Sequence, residues 1–269
     1  MATRAFFVPD GDDFVPTALA QGPWGQTISG NYAGGLLGHV IERDHGDPEL
    51  QPARLTVDLF RPAALSAVRV QTYVSRAGRR LKLVEATMTQ ADTVVARASA
   101  LFLRRGEQPP GERWSTSVTM PPLPPEPGPL PDDAVTLIWT YGKNGQTPSA
   151  GLGGWAHNGP KYVWTRDLVP LVDGAELTAF TRAAMAGDIA SSLTHFGADG
   201  LQFINADYTL TLSRLPDGPF LGLAALTHSS HDGVATGTAV VVDASGPIGS
   251  ATATALVNPG FAPPRADLS

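Results

Sequence analysis

The 269-residue chain has no cysteine and six histidines, so any chemistry falls to carboxylates, histidines, hydroxyls and amides. Disulfides, thiolate catalysis and Cys-based metal sites are excluded. One carboxylate is out of place. Asp188 sits directly after Gly187 in "RAAMAGDIASSL" (182–193), a run otherwise suited to helix and to packing, where a buried charge is costly. On a helical wheel Met185, Ile189, Leu193 and Phe196 form the apolar stripe, and Asp188 lies roughly a right angle from its centre. That puts it on the shoulder of the buried face. Read from the residues alone, it is a half-exposed Asp that hydrogen-bonds Ser191, Ser192 or a backbone group. Gly187 leaves room for a close approach.

Other polar motifs lead elsewhere. In "HSSHDG", His228 and His231 are an odd number of residues apart, so on an extended segment they point to opposite faces, and "HDG" reads as a hairpin turn with Gly233 at positive φ. No metal site is expected. "GLGGWAHNGP" has no Lys-Ser/Thr and no helix directly after it, so it is not a phosphate loop. Ser245 and Ser250 lack the strand–turn–helix setting of a nucleophile elbow. The basic run "SRAGRRLK", with Arg76, Arg79, Arg80 and Lys82, is either a solvated hairpin end or a cradle for phosphates.

The elements that position these groups follow from periodicity. Residues 1–25 read as irregular, with turns at "PDGDD" and "QGPWG". Leu36, Leu37, Val40 and Ile41 make a helical stripe closed by Asp44, Gly46 and Pro48. The period then changes to two. "ARLTVDLFRP", "AVRVQTYVSR" and the two runs in "RRLKLVEATMTQADTVVARASALFLRR" give four antiparallel strands, the last two joined at "QAD". Residues 106–132 are too rich in proline for element interiors and read as a stiff strap across the surface. Beyond it come "AVTLIWTYGK" and "PKYVWTRDLVPLV" as strands, the helix "GAELTAFTRAAMAGDIASSLTHFG", and four further strands from "LQFINADYTLTLSRL" to "PIGSATATALVN".

The two halves repeat one order of elements. "LTVDLFRP" answers to "TLTLSRLP", with Arg61 153 residues before Arg214, and "ARASALF" answers to "ATATALV", with Leu101 155 residues before Leu256. Agreement of order and offset argues for internal duplication. Size allows one large domain or two ordinary ones. The expected class is α+β: in each half, a long central helix wrapped by a curved antiparallel sheet. The division is 1–105, a linker at 106–132, and 133–269. A net charge of −6 argues against nucleic acid. No apolar run approaches the ~18 residues needed to span a bilayer, and "MATRAFFVPDGDDF" lacks the apolar core of a signal peptide. The expected location is cytoplasmic.

"LTVDLFRPAALSAVRV", "RAGRRLKLVEATM", "VVARASALFLR", "YVWTRDLVPLVDG", the Asp-bearing helix, "LQFINADYTLTLSRLPDG" and "GPIGSATATALV" together resemble the double (tandem) hotdog acyl-CoA thioesterases of the type II, TesB-like group, over about residues 20 to 258. The resemblance implies hydrolysis of an acyl-CoA thioester to a free acid and coenzyme A by an Asp-activated water, with no cofactor and no metal. It assigns the water-orienting carboxylate to Asp188 and its partner to Asn205 in "FINAD", where the family carries a hydroxyl residue. The family's third polar group, a Gln, falls at Ala253, flanked by Thr252 and Thr254; either the register slips by one and a threonine serves, or the site is incomplete. Gly34 and Gly35 in "SGNYAGG" stand where relatives carry a His-Gly-Gly motif, and either admit substrate or let helix and sheet pack closely. Asn31 or Ser29 caps that helix. Arg76, Arg79 and Arg80 would cradle the coenzyme A phosphates. The competing reading is a non-catalytic acyl-CoA or lipid-binding protein with a degenerate site. A hotdog hydratase is disfavoured because no paired His and Asp occupies the helix and following turn. A tandem chain can stand alone or form homo-oligomers.

Overall fold

The computed structural model describes residues 4–115, 117–125, 128–143 and 148–262. The chain forms β1 (Phe7–Asp10), β2 (Asp13–Pro16), α1 (Gly30–His45), β3 (Leu50–Leu59), β4 (Val68–Ala77), β5 (Leu81–Gln90) and β6 (Thr93–Arg104). After the proline-rich segment come β7 (Thr136–Tyr141), β8 (Pro148–Ala150), β9 (Tyr162–Asp167) and α2 (Ala179–His195). Then follow β10 (Phe196–Gly197), β11 (Gly200–Leu201), β12 (Phe203–Asn205), β13 (Asp207–Leu212), β14 (Leu221–His231), β15 (Val234–Asp243) and β16 (Gly246–Val257). β10 and β11 pair with each other, and the remaining strands join in one antiparallel sheet of order β1-β2-β4-β5-β6-β3-β13-β16-β15-β14-β9-β7-β8, with β12 also on β16. α1 lies against the first half of this sheet and α2 against the second.

Each helix is followed by strands in the same spatial order, β4-β5-β6-β3 and β14-β15-β16-β13. The halves meet where β3 pairs with β13, in the register Leu55↔Leu210, Thr56↔Thr209 and Val57↔Tyr208. Thr56 and Thr209 are 153 residues apart, the offset found in the sequence, so equivalent residues meet on a local two-fold. Their hydroxyls hydrogen-bond at 3.0 Å.

The β5–β6 and β14–β15 turns use positive φ at both of their residues, at Ala91 (45°) and Asp92 (62°) and at Asp232 (47°) and Gly233 (78°), matching the strand twist as primed turns do. Three expectations are revised. Residues 7–16 form a hairpin rather than irregular chain, turning at Gly11 with φ of 60°; the flanking Phe6 and Phe7 bond Pro170 and Leu171 of the second half. A short strand, β8, was not expected beside the Gly-rich loop. The single expected strand over "LQFINADYTLTLSRL" is broken. Asn205 pairs with Ala255 while Thr209 pairs with Thr252. Three residues on one strand therefore face two on the other, a β-bulge at Ala206 and Asp207. The strap reading of the proline-rich segment is supported by anchors: Tyr141 Oη and Trp164 Nε1 donate to the carbonyls of Pro122 and Pro121, each at 2.9 Å.

α1 and α2 cross antiparallel. Gly30 faces Asp188, Gly35 faces Met185 and Gly38 faces Ala184, and Glu42 accepts a hydrogen bond from Thr178, the residue capping α2. Nearly every residue of α2 is buried, so its wheel has no dry and wet sides. Glycine in a helix interior costs ~1 kcal/mol against alanine. Here it lets the backbones approach. A Cβ on Gly34 would lie 2.0 Å from Tyr208 Oη, and that buried hydroxyl is fixed by donating to the Ala184 carbonyl at 2.8 Å. Gly34→Ala should therefore destabilise the fold by ~1–3 kcal/mol through overpacking. Urea unfolding measures it, and an unchanged midpoint would contradict this packing.

Candidate active site

Asp188 is buried, with 9% of its surface exposed, which revises its expected place on a half-exposed shoulder. It does not bond Ser191 or Ser192. Its Oδ1 accepts from Asn205 Nδ2 at 2.8 Å, and the backbone N–H of Asn31 also favours its charge. The bulge explains how Asn205 gets there. Without the extra residue, strand alternation would put Asn205 and Tyr208 on opposite faces; with it both face the helices. Asn205 reaches the carboxylate, and Tyr208 wedges between Gly34 and Gly187.

The opposing element is the start of α1. Ser29 occupies its N-cap without a side-chain cap bond; its hydroxyl instead donates to Asn31 Oδ1 at 3.1 Å, while Asn31 Nδ2 donates to the Met185 carbonyl at 3.1 Å. A helix N-terminus offers unsatisfied N–H groups and a positive dipole end. Asp188 comes so close that a Cβ on Gly30 would lie 2.7 Å from its Oδ2. Gly30 was not singled out from sequence, although a glycine at the first helical position beside a serine N-cap is a readable signal. Burial pushes the Asp188 pKa from 3.8 up to about 6, and the Asn205 and Asn31 donors hold it from rising further. Such a carboxylate is ionised at neutral pH yet basic enough to take a proton from water.

Asn31 also lines a cavity of about 760 Å³. Its walls are largely apolar and include Leu19, Ile138, Leu152, Trp155, Met185 and Ile189. A thioester held beside Asp188 would thus have an apolar chamber next to it.

The other expected site residues fall elsewhere. Gly34 and Gly35 are buried between the helices, against Tyr208 and Met185, where they serve packing. On β16 strand alternation puts Ala251, Ala253 and Ala255 inward and buried. Thr252 therefore turns to the other face, its hydroxyl 3.0 Å from that of Thr238. Exposed Thr254 gives both its N–H and its hydroxyl to Asp207, each at 2.7 Å. Neither threonine serves in place of the family Gln. Ala253 pairs with Gly237, over which Thr194 packs. Arg76, Arg79 and Arg80 are exposed on the β4–β5 hairpin. The adjoining Lys82 ties this hairpin to the last carbonyl of α1, at His45, with 2.7 Å. That is the far end from Asp188 along a helix of 16 residues, ~24 Å long. The arginines and Asp188 are not brought together.

The local two-fold has a second such place. Gly38 packs on Leu55 as Gly187 packs on Tyr208, and Leu55 and Tyr208 are again 153 residues apart. His39 therefore stands where Asp188 does. Its ring is buried, and burial lowers its pKa.

Acyl-CoA thioesterase family models match both halves, the N-terminal domain at residues 20–103 and the C-terminal domain at residues 115–257. Among solved structures, a TesB protein of Mycobacterium avium subspecies paratuberculosis aligns with a TM-score of 0.66 at 14% identity, covering 94% of this chain and 96% of that one. A hot dog fold protein of unknown function from Alicyclobacillus acidocaldarius gives 0.66 at 18%, covering 94% and 95%. The acyl-CoA thioesterase II TesB2 of Mycobacterium marinum gives 0.60 at 16%, covering 97% and 95%. At these identities the likeness is one of fold. No curated protein matches the chain. No helix among the described residues is long and apolar enough to cross a membrane.

The raised pKa of Asp188 has a stability consequence of definite sign. The folded state binds the proton more tightly than the unfolded one, so stability falls as pH rises from 3.8 to about 6 and then stays lower by ~3 kcal/mol. Asp188→Asn should be more stable than the wild type at neutral pH, with the gap closing below pH ~4. Denaturant melts at the two ends of this range decide it; an equal gap at both would refute the shift.

Proposed function

Since the chain belongs to the acyl-CoA thioesterase family, we propose that it hydrolyses acyl-CoA thioesters to free acid and coenzyme A, with Asp188 as general base. The observation that carries this reading is a buried carboxylate of raised pKa, held by Asn205 and facing the start of α1 beside an apolar cavity. The chain is read as tandem hotdog units, 1–105 and 133–269, each with its own central helix and joined by 106–132. The thioester carbonyl lies at the N-terminus of α1, with the acyl group in the cavity. Asp188 takes a proton from water as its oxygen adds to the carbonyl carbon. The N–H groups at the start of α1 stabilise the oxyanion that forms. Collapse of this intermediate breaks the C–S bond, and the coenzyme A thiolate recovers the proton from Asp188. Asn205 orients the carboxylate and, through its amide oxygen, the water.

Ala253 favours a second reading. It supplies no polar group where the family carries Gln, and loss of one polarising donor costs ~10²–10³ in rate. A protein that binds acyl-CoA without cleaving it would follow if the remaining groups were too few. Restoring the polar side chain with Ala253→Gln meets a fully buried position, so the variant must first be shown to fold.

Purified protein is assayed for thiol release from acyl-CoAs of short, medium and long chain. Release is expected, with kcat/KM rising with pH through an apparent pKa of about 6. Asp188→Asn should lower the rate by ~10²-fold or more. Asn205→Ala removes a donor that favours the charge and should move that pKa upward as well as slow the reaction. A rate indifferent to Asp188→Asn sinks the mechanism. Raised melting temperatures with acyl-CoA and no thiol at any chain length would establish the binding protein instead.

A further inference from the structure

The cavity beside Asn31 is not uniformly apolar. One part of its wall carries Tyr32 from α1, Thr136 from β7, Asp167 from β9 and Arg182 from α2. Thr136 Oγ1 donates to Asp167 Oδ1 at 3.1 Å, and the Tyr32 phenol also interacts with Thr136. No other hydrogen bond reaches Asp167 among the described residues, and Arg182 acts on it only through space. Arg182 spends Nη1 and Nη2 on the carbonyls of Leu177 and Gly218, each at 3.0 Å. Its Nε is sealed off and without a partner among the described residues, and each Nη nitrogen carries a second N–H beyond the one so used.

A carboxylate with one donor and a guanidinium with a spare N–H, sharing a cavity that suits hydrocarbon, are expensive unless a ligand uses them. Burial raises the Asp167 pKa to about 6, so at neutral pH it is an acceptor. The opposed charges disfavour an ionic substituent: an ammonium would be repelled by Arg182, and a carboxylate by Asp167. A hydroxyl satisfies both, donating to one and accepting from the other.

Resting on the thioesterase reading above, we propose that this cavity selects acyl groups bearing a hydroxyl remote from the thioester, held between Asp167 and Arg182. Remoteness follows from position. Arg182 precedes Asp188 by six residues on one helix, which is ~9 Å along its axis. A hydroxyl next to the thioester would not reach the pair.

The test compares decanoyl-CoA with its beta-hydroxy, mid-chain-hydroxy and terminal-hydroxy analogues, by thiol release and by shift of melting temperature. The wild type should prefer the mid-chain or terminal hydroxy substrate over decanoyl-CoA by about tenfold or more in kcat/KM, the worth of one buried hydrogen bond. The beta-hydroxy analogue should gain nothing. Asp167→Leu should abolish the preference. Equal or better use of decanoyl-CoA by the wild type, or a preference that survives Asp167→Leu, overturns the proposal and leaves the hydrolase reading intact. If no substrate releases thiol, hydrolysis fails and the melting shifts decide: a larger shift with the remote-hydroxy analogues supports the selective cavity, and equal shifts refute it. The wild-type comparison stands even if the variant does not fold.

Discussion

The close crossing of α1 and α2 is the constraint on which the rest of the molecule depends. Two helices normally stand 8–10 Å apart, at a distance set by the side chains between them. Here Gly30, Gly34, Gly35 and Gly38 present backbone along one edge of α1, and Asp188, Tyr208, Met185 and Ala184 fill the space a Cβ would take. The β3–β13 seam holds the two half-sheets in the register that makes this crossing possible. Tyr208, paired with Val57 on that seam, sends its hydroxyl to the Ala184 carbonyl of α2. Sheet register and helix approach are thereby tied to each other through one side chain.

The carboxylate inherits its character from that geometry. Burial disfavours its charge, while the Asn205 amide and the start of α1 favour it. The balance leaves a group that is ionised at neutral pH but still a competent base. Such an arrangement costs stability, because the charge is maintained at the expense of the folded state.

Much of this was readable in advance. The change of period from 3.6 to 2 after each helix located β3 to β6 and β13 to β16, and the 153-residue offset turned out to be the local two-fold through Thr56 and Thr209. Asp188 and Asn205 were paired on resemblance, and the structure brings them into contact. What failed did so for physical reasons. The helical wheel put Asp188 at an edge because it assumes one wet side, and α2 has almost none. The hairpin at 7–16 is short and is paired partly with residues far along the chain, which no local pattern reveals. Gly34 and Gly35 signalled close approach correctly, but sequence cannot say whether a ligand or a neighbouring helix does the approaching. The bulge at Ala206 and Asp207 reverses the facing of everything before it, and alternation alone would have turned Asn205 outward.

The seam between β3 and β13 has an evolutionary reach as well. When two identical subunits pair about an axis, every substitution is made twice, and a residue ideal on one side of the axis must be tolerated on the other. With both copies on one polypeptide that obligation lapses. His39 and Asp188 hold corresponding places with opposite chemistry, and the start of α1 has become a glycine against a carboxylate while the start of α2 keeps a threonine cap bonded to Glu42. On one chain the two corresponding corners are free to differ, and one closes on a buried carboxylate while the other closes on a threonine and a glutamate.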